Sequence, residues 1–356
     1  MTEQLSPANV APAVGHSAGQ WAAVVATVED RAAATGAALR RLPAGVAWLE
    51  VRADRTGDLD PGQLRRHVSG QLVYSLRSRR YGGRDADPPP SRRARLLAAA
   101  SGYDIVDLEA DHDLVPDVLA GVPADRRRIS WHGDETDLNG LRSQFDRMVR
   151  VPAALYLLAP QAGSFPAALT PLRLLASLGR DDVTAFATGP AAAFSRVLAP
   201  WLGAPVVYGS PAGPTVEQLV TDYPFPRLPR LAQLYGIVGR SLHTSLFVRL
   251  VNAALRELSL PGLCLPFLVP DIADFQRRFW PAIATGSLDT LGFPLRALTV
   301  AAPYKPAAFA AAALADPSAR SAQAANLLLR EGKPGQRWRA ATTDGSAMLA
   351  ALRATG

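Results

Sequence analysis

Charged and polar side chains stand at the ends of several short apolar runs, where they could bind a small ligand. A charged group that points into an apolar interior is costly unless it is paired or binds something. Because cations and anions occur together, these positions predict a pocket for a small polar anion. The residues are Glu50, Arg52, Asp54, Arg77, Asp107, Glu109, His132, Ser195 and Arg196.

The apolar runs have the lengths and residue types of β-strands. They recur with room for a helix between each pair, which is typical of parallel α/β architecture. Eight strands, each followed by a helix, predict a (β/α)8 TIM barrel, whose active site forms at the carboxyl ends of the strands. The predicted strands cover 24–30, 46–54, 71–78, 104–110, 127–133, 153–160, 182–189 and 204–211.

The pattern changes after residue 211. The segment 221–231 holds three prolines and predicts an extended linker. Beyond it, strand and helix patterns alternate again and end in a predicted hairpin, which indicates a second, smaller α/β domain. We therefore expect a disordered tail over 1–20, a barrel over 21–220, a linker over 221–232 and a second domain over 233–356.

Lysine is almost absent from this chain of 356 residues. Only Lys305 and Lys333 are lysines among 38 basic residues, so the net charge of +7 comes almost wholly from arginine. The arginines, including the clusters at 92–95 and 126–128, are mixed with acidic residues and lack interleaved aromatic residues. We expect them on solvated helix faces rather than on a nucleic-acid-binding surface.

Other classes of protein are excluded by simple features. No run of about 18 apolar residues occurs, so no membrane span is expected. The N-terminus lacks the cationic and apolar regions of a secretory signal, which predicts a cytoplasmic protein. The single cysteine, Cys264, excludes an internal disulfide and a cysteine-based metal cluster, and no metal site is predicted.

The barrel resembles a type I 3-dehydroquinate dehydratase. Five motifs occur in the family's order, over about 190 positions, each on the strand that the family uses. In this chain they are Glu50, Arg52 and Asp54; Arg77; Asp107 and Glu109; Ser130 and His132; and Ser195 and Arg196. The resemblance implies that Arg196 binds a substrate carboxylate, that Glu50, Arg52 and Arg77 contact the ring, and that His132 moves protons.

The resemblance fails at the residue on which the family's chemistry depends. There a lysine on strand six forms an imine with the substrate ketone, and the iminium accepts the electrons of the carbanion. Alignment on Pro160 puts Leu155 at the lysine position, and the first 300 residues contain no lysine. Tyr81, Ala204 and Gly213 replace three further family residues, which include groups of the loops that close over the substrate.

The second domain resembles the substrate-binding domain of shikimate dehydrogenase, from residue 233 to about 350. The resemblance implies that Ser245 and Asn326 bind the substrate and that Lys305 and Asp344 form a catalytic pair. Phe247 and Ala301 stand where the family has hydroxyl side chains. A dehydrogenase of this kind needs NADP, but no glycine-rich strand-to-helix turn occurs, so no cofactor is predicted for this chain.

Three hypotheses follow for the function. In the first, the chain is a non-catalytic or impaired shikimate-pathway homologue that binds a dehydroquinate-like or shikimate-like carboxylate, or a partner enzyme. In the second, the barrel is an active dehydratase that uses His132 without an imine, while Arg77 or Arg196 stabilises an enolate. In the third, the chain is one part of a split shikimate dehydrogenase. The chain is expected to associate either with a partner enzyme or with further copies of itself.

Overall fold

The structure, a computed structural model, describes residues 21–135, 137–211, 213–242, 245–332 and 337–355. Within these ranges the backbone forms one sheet of eight strands and one of six. The predicted tail and Lys333 lie outside the described residues.

The first sheet is parallel throughout, with the spatial order β7-β6-β5-β4-β3-β2-β1-β8. Each strand overlaps a predicted run, so the barrel prediction is confirmed. The strands are β1 Ala23–Val28, β2 Val46–Arg52, β3 Gln71–Ser75, β4 Ile105–Glu109, β5 Arg127–Trp131, β6 Leu155–Leu158, β7 Val183–Ala185 and β8 Val206–Gly209.

Helices connect these strands on the outside of the barrel. The loop after β2 differs from the prediction, because the chain turns at once into a short helix that carries Asp54. The helices are α1 Gly36–Leu39, α2 Ala53–Thr56, α3 Pro61–Arg65, α4 Pro89–Ala99, α5 Pro116–Gly121, α6 Leu138–Met148, α7 Phe165–Leu178, α8 Ala193–Leu198 and α9 Val216–Thr221.

Strands β7 and β8 are the two ends of the ladder, and side chains fill the seam between them. The rings of Phe186, just after β7, and Tyr208, in β8, have centroids 5.9 Å apart. Arg196 of α8 donates from Nη1 to the Tyr208 carbonyl at 3.4 Å and to Ser210 Oγ at 3.1 Å. One candidate site residue therefore also bridges the seam.

The second sheet has the order β10-β9-β11-β13-β14-β12. The first three strands are mutually parallel, while β13 runs antiparallel to both β11 and β14. This arrangement confirms the predicted second α/β domain. Its elements are β9 Gln233–Gly239, α10 Phe247–Glu257, β10 Gly262–Leu268, α11 Ile272–Asp274, α12 Trp280–Ala284, β11 Leu295–Val300, α13 Lys305–Ala311, β12 Leu314–Ala315, α14 Pro317–Ala322, β13 Leu327–Arg330, β14 Trp338–Ala341 and α15 Asp344–Thr355.

An aromatic cluster joins the barrel to the second domain. Phe165 of α7 and Phe194 of α8 stack with centroids 5.0 Å apart. Phe267 of β10 lies edge-on to both, at 5.5 and 5.3 Å, and Phe279 lies 5.0 Å from Phe165. All four side chains are at most 2% exposed. The two sheets therefore share one continuous hydrophobic core.

The proline-rich segment between the sheets packs against the barrel. Ala22 donates its backbone N–H to the Pro226 carbonyl at 3.1 Å, and Trp201 Nε1 donates to the Pro229 carbonyl at 3.0 Å. Phe225 is buried beside Trp201. The domain boundaries stay predictions, but this segment is anchored along its length.

In the described part of the chain, every helix is too short or too polar to cross a membrane.

Candidate functional site

A cavity opens at the carboxyl ends of the barrel strands. Its volume is about 60 Å³, against about 10–15 Å³ for one ordered water, so it offers room for a small polar molecule. Five of the predicted barrel residues line it: Glu50, Arg52, Arg77, His132 and Arg196. The other lining residues are Thr27, Glu29, Leu157, Ala159, Phe186, Thr188, Tyr208 and Ser210.

Beneath the cavity lies a buried ionic network centred on Arg128 of β5. Arg128 Nε donates to Asp107 Oδ1 at 2.7 Å, Nη1 donates to the Tyr208 hydroxyl at 3.0 Å, and Nη2 donates to Glu50 Oε1. The side chains of Arg128, Glu50 and Asp107 are at most 3% exposed. Such a pair is stable only when each charge is met by good hydrogen bonds, as here.

Glu50 is held as a carboxylate by its neighbours. Burial raises its pKa, but Arg128, with Arg77 and Arg52, outweighs burial and lowers the pKa from 4.5 to about 2. Thr27 Oγ1 also donates to Glu50 Oε2 at 3.0 Å. Glu50 can therefore accept a hydrogen bond from a ligand hydroxyl but is a poor proton donor.

His132 lies at the end of β5 with a neutral imidazole. Burial lowers its pKa well below the usual range, and the cations Arg77, Arg128 and Arg52 lower it further. Its Nε2 is buried and meets no hydrogen-bond partner among the described residues. The Tyr81 ring lies 5.6 Å away. A neutral imidazole with an unused nitrogen can form a hydrogen bond with a ligand, and its lowered pKa makes it a weak base.

Arg77 and Arg196 line the cavity without forming an ion pair to any described carboxylate. Each has a buried Nε that lacks a hydrogen-bond partner in the described structure. Burial lowers the pKa of both, to about 10 for Arg196; the charges of Arg52 and Arg128 lower the pKa of Arg77 further, and the charge of Arg77 lowers that of Arg196. The Arg196 guanidinium also stacks over Phe186, 4.8 Å from the ring centroid. Two guanidinium groups at the cavity that form no ion pair with a described carboxylate favour an anionic ligand.

Gly213 allows Arg196 to take this position. A Cβ atom at Gly213 would lie 2.4 Å from Arg196 Nη1. Type I 3-dehydroquinate dehydratases, which the barrel resembles, have a glutamine at this position, and such a side chain would displace the guanidinium.

Arg52 lies at the cavity but is committed to other protein groups. Its Nε and Nη2 donate to both carboxylate oxygens of Asp54, at 2.8 and 2.9 Å. Asp54 in turn accepts the backbone N–H of Arg77 at 3.4 Å and of Arg84 at 3.0 Å. The Arg52–Asp54 pair therefore fixes the loop after β3 that presents Arg77.

The expectation that the arginine clusters lie on solvated faces is wrong for three residues. Arg92, Arg127 and Arg128 are 7%, 8% and 1% exposed. Arg92 bridges Asp85 and Asp113, both at 2.7 Å, and lies 3.3 Å from Glu109. Burial raises the pKa of Glu109 to about 7. Two of the buried arginines, Arg92 and Arg128, are thus counterions of buried carboxylates.

Strand β6 presents only aliphatic side chains to the cavity. Leu157 and Ala159 line it, whereas Leu155 lies one layer deeper, directly opposite Arg128 in the ladder. The assignment of the lysine position to Leu155 stays a prediction. Neither position carries an amine, so this strand offers no group for an imine.

In the second domain, the structure brings three predicted residues together. Lys305 Nζ lies 2.5 Å from Asp344 Oδ2, and Asn326 Nδ2 donates to Asp344 Oδ1 at 2.6 Å. Thr343, which the sequence analysis did not select, donates its N–H to Asn326 Oδ1 at 2.9 Å. Because β13 runs antiparallel to β11 and β14, the end of β11, the start of β13 and the end of β14 lie on the same side of the sheet, and these residues follow or precede those strand ends.

Ser245 is not joined to this group by a described hydrogen bond. Its Oγ accepts the backbone N–H of Phe247 at 3.3 Å at the start of α10. Residues 243 and 244 lie outside the described structure. The substrate-binding role of Ser245 stays a prediction.

Among the described residues, no site fits the nicotinamide cofactor of shikimate dehydrogenase. Among the described strand-to-helix turns of both sheets, none has the glycine pattern that receives a dinucleotide pyrophosphate. The Lys305 and Asp344 pair can therefore bind and orient a polar ligand, but the described residues supply no hydride acceptor.

Comparison with protein families gives a match over the barrel. The family model described as type I 3-dehydroquinase matches residues 23–225.

Individual relatives cover both parts of the chain. The chloroplastic bifunctional 3-dehydroquinate dehydratase/shikimate dehydrogenase of Arabidopsis thaliana is 23% identical over 317 residues, which is 82% of this chain and 49% of that protein. The shikimate dehydrogenase (NADP(+)) of Syntrophobacter fumaroxidans is 30% identical over 126 residues, 35% of this chain and 39% of that protein. The chain thus spans half or less of these relatives.

A solved structure with both activities in its name is also similar. The dehydroquinate dehydratase and shikimate dehydrogenase from S. pombe is 18% identical with a TM-score of 0.47, and the match covers 94% of this chain and 67% of that one.

Proposed function

This chain belongs to the type I 3-dehydroquinase family through residues 23–225, and we propose that its barrel binds a carbocyclic carboxylate of the dehydroquinate or shikimate type without imine chemistry. The observation that carries the proposal is the pair of half-buried arginines, Arg77 and Arg196, that face the cavity with a buried Nε and have no carboxylate as an ion-pair partner in the described structure. A bound carboxylate would supply that partner.

The remaining lining residues fit the rest of such a ligand. Glu50 accepts hydrogen bonds from ring hydroxyls, His132 Nε2 is unpartnered, and Leu157, Ala159 and Phe186 offer apolar surface. The aliphatic side chains of β6 support the impaired-catalysis part of the proposal, because an amine is needed to form an iminium electron sink. The binding function needs no cofactor.

Calorimetric titration with shikimate and with 3-dehydroquinate tests the proposal. We expect saturable binding that Arg196→Met weakens at least about tenfold, the loss of one charge-assisted hydrogen bond. Arg180→Met is the matched control, because Arg180 forms an exposed pair with Asp182 on the outside of the barrel. Equal affinity in the two variants would contradict the barrel site.

An active dehydratase is the second candidate, and the unpartnered Nε2 of His132 favours it. In that reaction His132 would remove a proton beside the ketone, while Arg77 stabilises the enolate oxygen; collapse of the enolate would then break the bond to the β-hydroxyl, which takes the proton from His132 and leaves as water. Formation of the conjugated enone from 3-dehydroquinate, abolished by His132→Ala, would establish this activity and refute the non-catalytic proposal. Borohydride trapping with substrate should label no barrel peptide in either case.

The second domain carries its own proposed site, at Lys305, Asp344 and Asn326. We expect shikimate to bind there independently of the barrel, so that Lys305→Met and Arg196→Met each remove one binding event from a two-site isotherm. A split dehydrogenase would need a nicotinamide domain on a partner chain. That partner, a homo-oligomer and the cytoplasmic location stay predictions.

A further inference from the structure

Arg128 is the cation at the centre of the barrel interior, although it does not line the cavity. Arg128, Ser130 and His132 are every second residue along β5 and its end, so their side chains share the inward face. Its three nitrogen atoms serve three different partners: Asp107, the Tyr208 hydroxyl and Glu50. Two of those partners, Glu50 and Tyr208, line the cavity directly above it.

The two carboxylates beside Arg128 would otherwise compete with a ligand. Glu50 lies close enough to Arg77 for their charges to interact, and Asp107 also faces the barrel interior, where it accepts from Ser130 Oγ at 3.0 Å. Arg52 is already occupied by Asp54, at 2.8 Å. Without Arg128, Arg77 is a cation close to Glu50 that forms no ion pair with a described carboxylate.

We propose that Arg128 is a positioning residue for the ligand cavity. By pairing with Glu50 and Asp107, it leaves Arg77 and Arg196 available for the anionic group of the ligand. This inference rests on the proposed binding function and deepens it. The cavity accepts an anion because a buried arginine in the layer below forms ion pairs with the protein's own carboxylates.

The chain offers a matched control on the same strand. Arg127 is also buried, but it points outward and donates only to backbone carbonyls, including Val122 at 2.5 Å and Pro152 at 3.0 Å. Loss of Arg127 removes hydrogen bonds from the barrel wall and changes nothing in the ion pairing of the interior.

The first measurement is the dissociation constant for shikimate at the barrel site, taken in a Lys305→Met background so that the second site does not contribute. We expect Arg128→Met to raise it at least about tenfold, as one charge-assisted contact is lost, and Arg127→Met to leave it within about twofold, as for an independent site. Arg128→Met/Glu50→Gln removes one charge of each sign, so Arg77 is released and the affinity partly recovers. Arg128→Lys keeps the charge but not the three-way contact, and its affinity should be intermediate.

The second measurement does not depend on the ligand. A crystal structure of Arg128→Met should show the Glu50 carboxylate turned onto Arg77; if that variant fails to fold, Arg128→Lys serves in its place, with Glu50 partly turned. Glu50 unmoved in the variant, or equal affinities for Arg128→Met and Arg127→Met, would overturn the inference. A wild-type protein that binds no shikimate, with Glu50 nevertheless turned in the variant, would refute only the proposed function.

Discussion

The barrel cavity and the second-domain site solve the same problem, the placement of charged groups around a polar ligand, in opposite surroundings. In the barrel, Arg128 and Glu50 are 1% and 3% exposed, and each is held by several hydrogen bonds. In the second domain, Lys305 and Asp344 are 33% and 55% exposed and share one ion pair supported by Asn326. The first arrangement is part of the folded core, whereas the second lies on it.

The difference teaches where each site tolerates change. A buried charge whose partner is removed stays in a medium that cannot solvate it, so the free energy of unfolding of the whole protein falls. An exposed charge recovers its hydration, so its loss affects mainly the ligand. Substitutions in the barrel should therefore alter stability and binding together, and substitutions at the second site should alter binding alone.

The largest effect should come from the interior cation. Arg128→Leu leaves Glu50 and Asp107 buried without their counterion and should lower the free energy of unfolding by about 3–5 kcal/mol. Leu155→Lys alone should also destabilise the protein, since position 155 lies directly opposite Arg128 in the ladder. The two changes combined move the cation from β5 to β6.

Urea unfolding of the four proteins in this cycle measures their coupling. We expect the double variant to be more stable than the sum of the single changes predicts, by about 1–3 kcal/mol. Additive effects would mean that the carboxylates do not need an interior cation, and the contrast with the second site would fail.

An intermediate effect should appear in the pH dependence of stability. Burial and the nearby arginines hold the pKa of His132 well below its usual value. Below about pH 6.5 the unfolded chain takes up a proton that the native state does not, so stability falls as the pH falls, by up to about 1.4 kcal/mol per unit. His132→Gln should remove this slope.

His67→Gln is the control, because His67 is exposed on the barrel surface. The stabilisation from Glu50, whose pKa is lowered from 4.5 to about 2, is present above pH 4.5 and is lost as the pH falls through 2, a separate window. An unchanged slope in His132→Gln would mean that the imidazole is solvated in the native protein.

The smallest effect on stability is expected at the second site. Lys305→Met should change the free energy of unfolding by no more than about 1 kcal/mol, since the ion pair is exposed, while it removes shikimate binding to that domain. Arg339→Met, which breaks exposed pairs to Asp316 and Glu331 on the same sheet, should match it in stability and leave binding intact. A loss of several kcal/mol in Lys305→Met would place that lysine in the core.

Much of this architecture follows from the sequence because strand periodicity and strand-end polarity are local signals. Each of the eight barrel strands lies where an apolar run predicts it, and Glu50, Arg77, His132 and Arg196 reach one cavity. The meeting of Lys305, Asn326 and Asp344 depended on the family resemblance, because their spacing in the chain says nothing about sheet order.

Arg128 escaped prediction because it stands in a run of three arginines, which is typical of a solvated face. A local signal was nevertheless present. Arg128, Ser130 and His132 are two residues apart on a predicted strand, and this spacing places all three side chains on the same face. The partners Glu50 and Tyr208 are 78 and 80 residues away along the chain. Such long-range pairing is visible only when the barrel is assembled.

The phenylalanine cluster between the barrel and the second domain has a consequence for how the protein can be divided. Phe165 and Phe194 are covered by Phe267 and Phe279, side chains that belong to the other half of the chain. Each half expressed alone would expose an apolar aromatic surface that can associate with other molecules. Heating should therefore melt both halves in one cooperative transition, and a gene split near residue 221 should yield insoluble fragments unless the two are produced together.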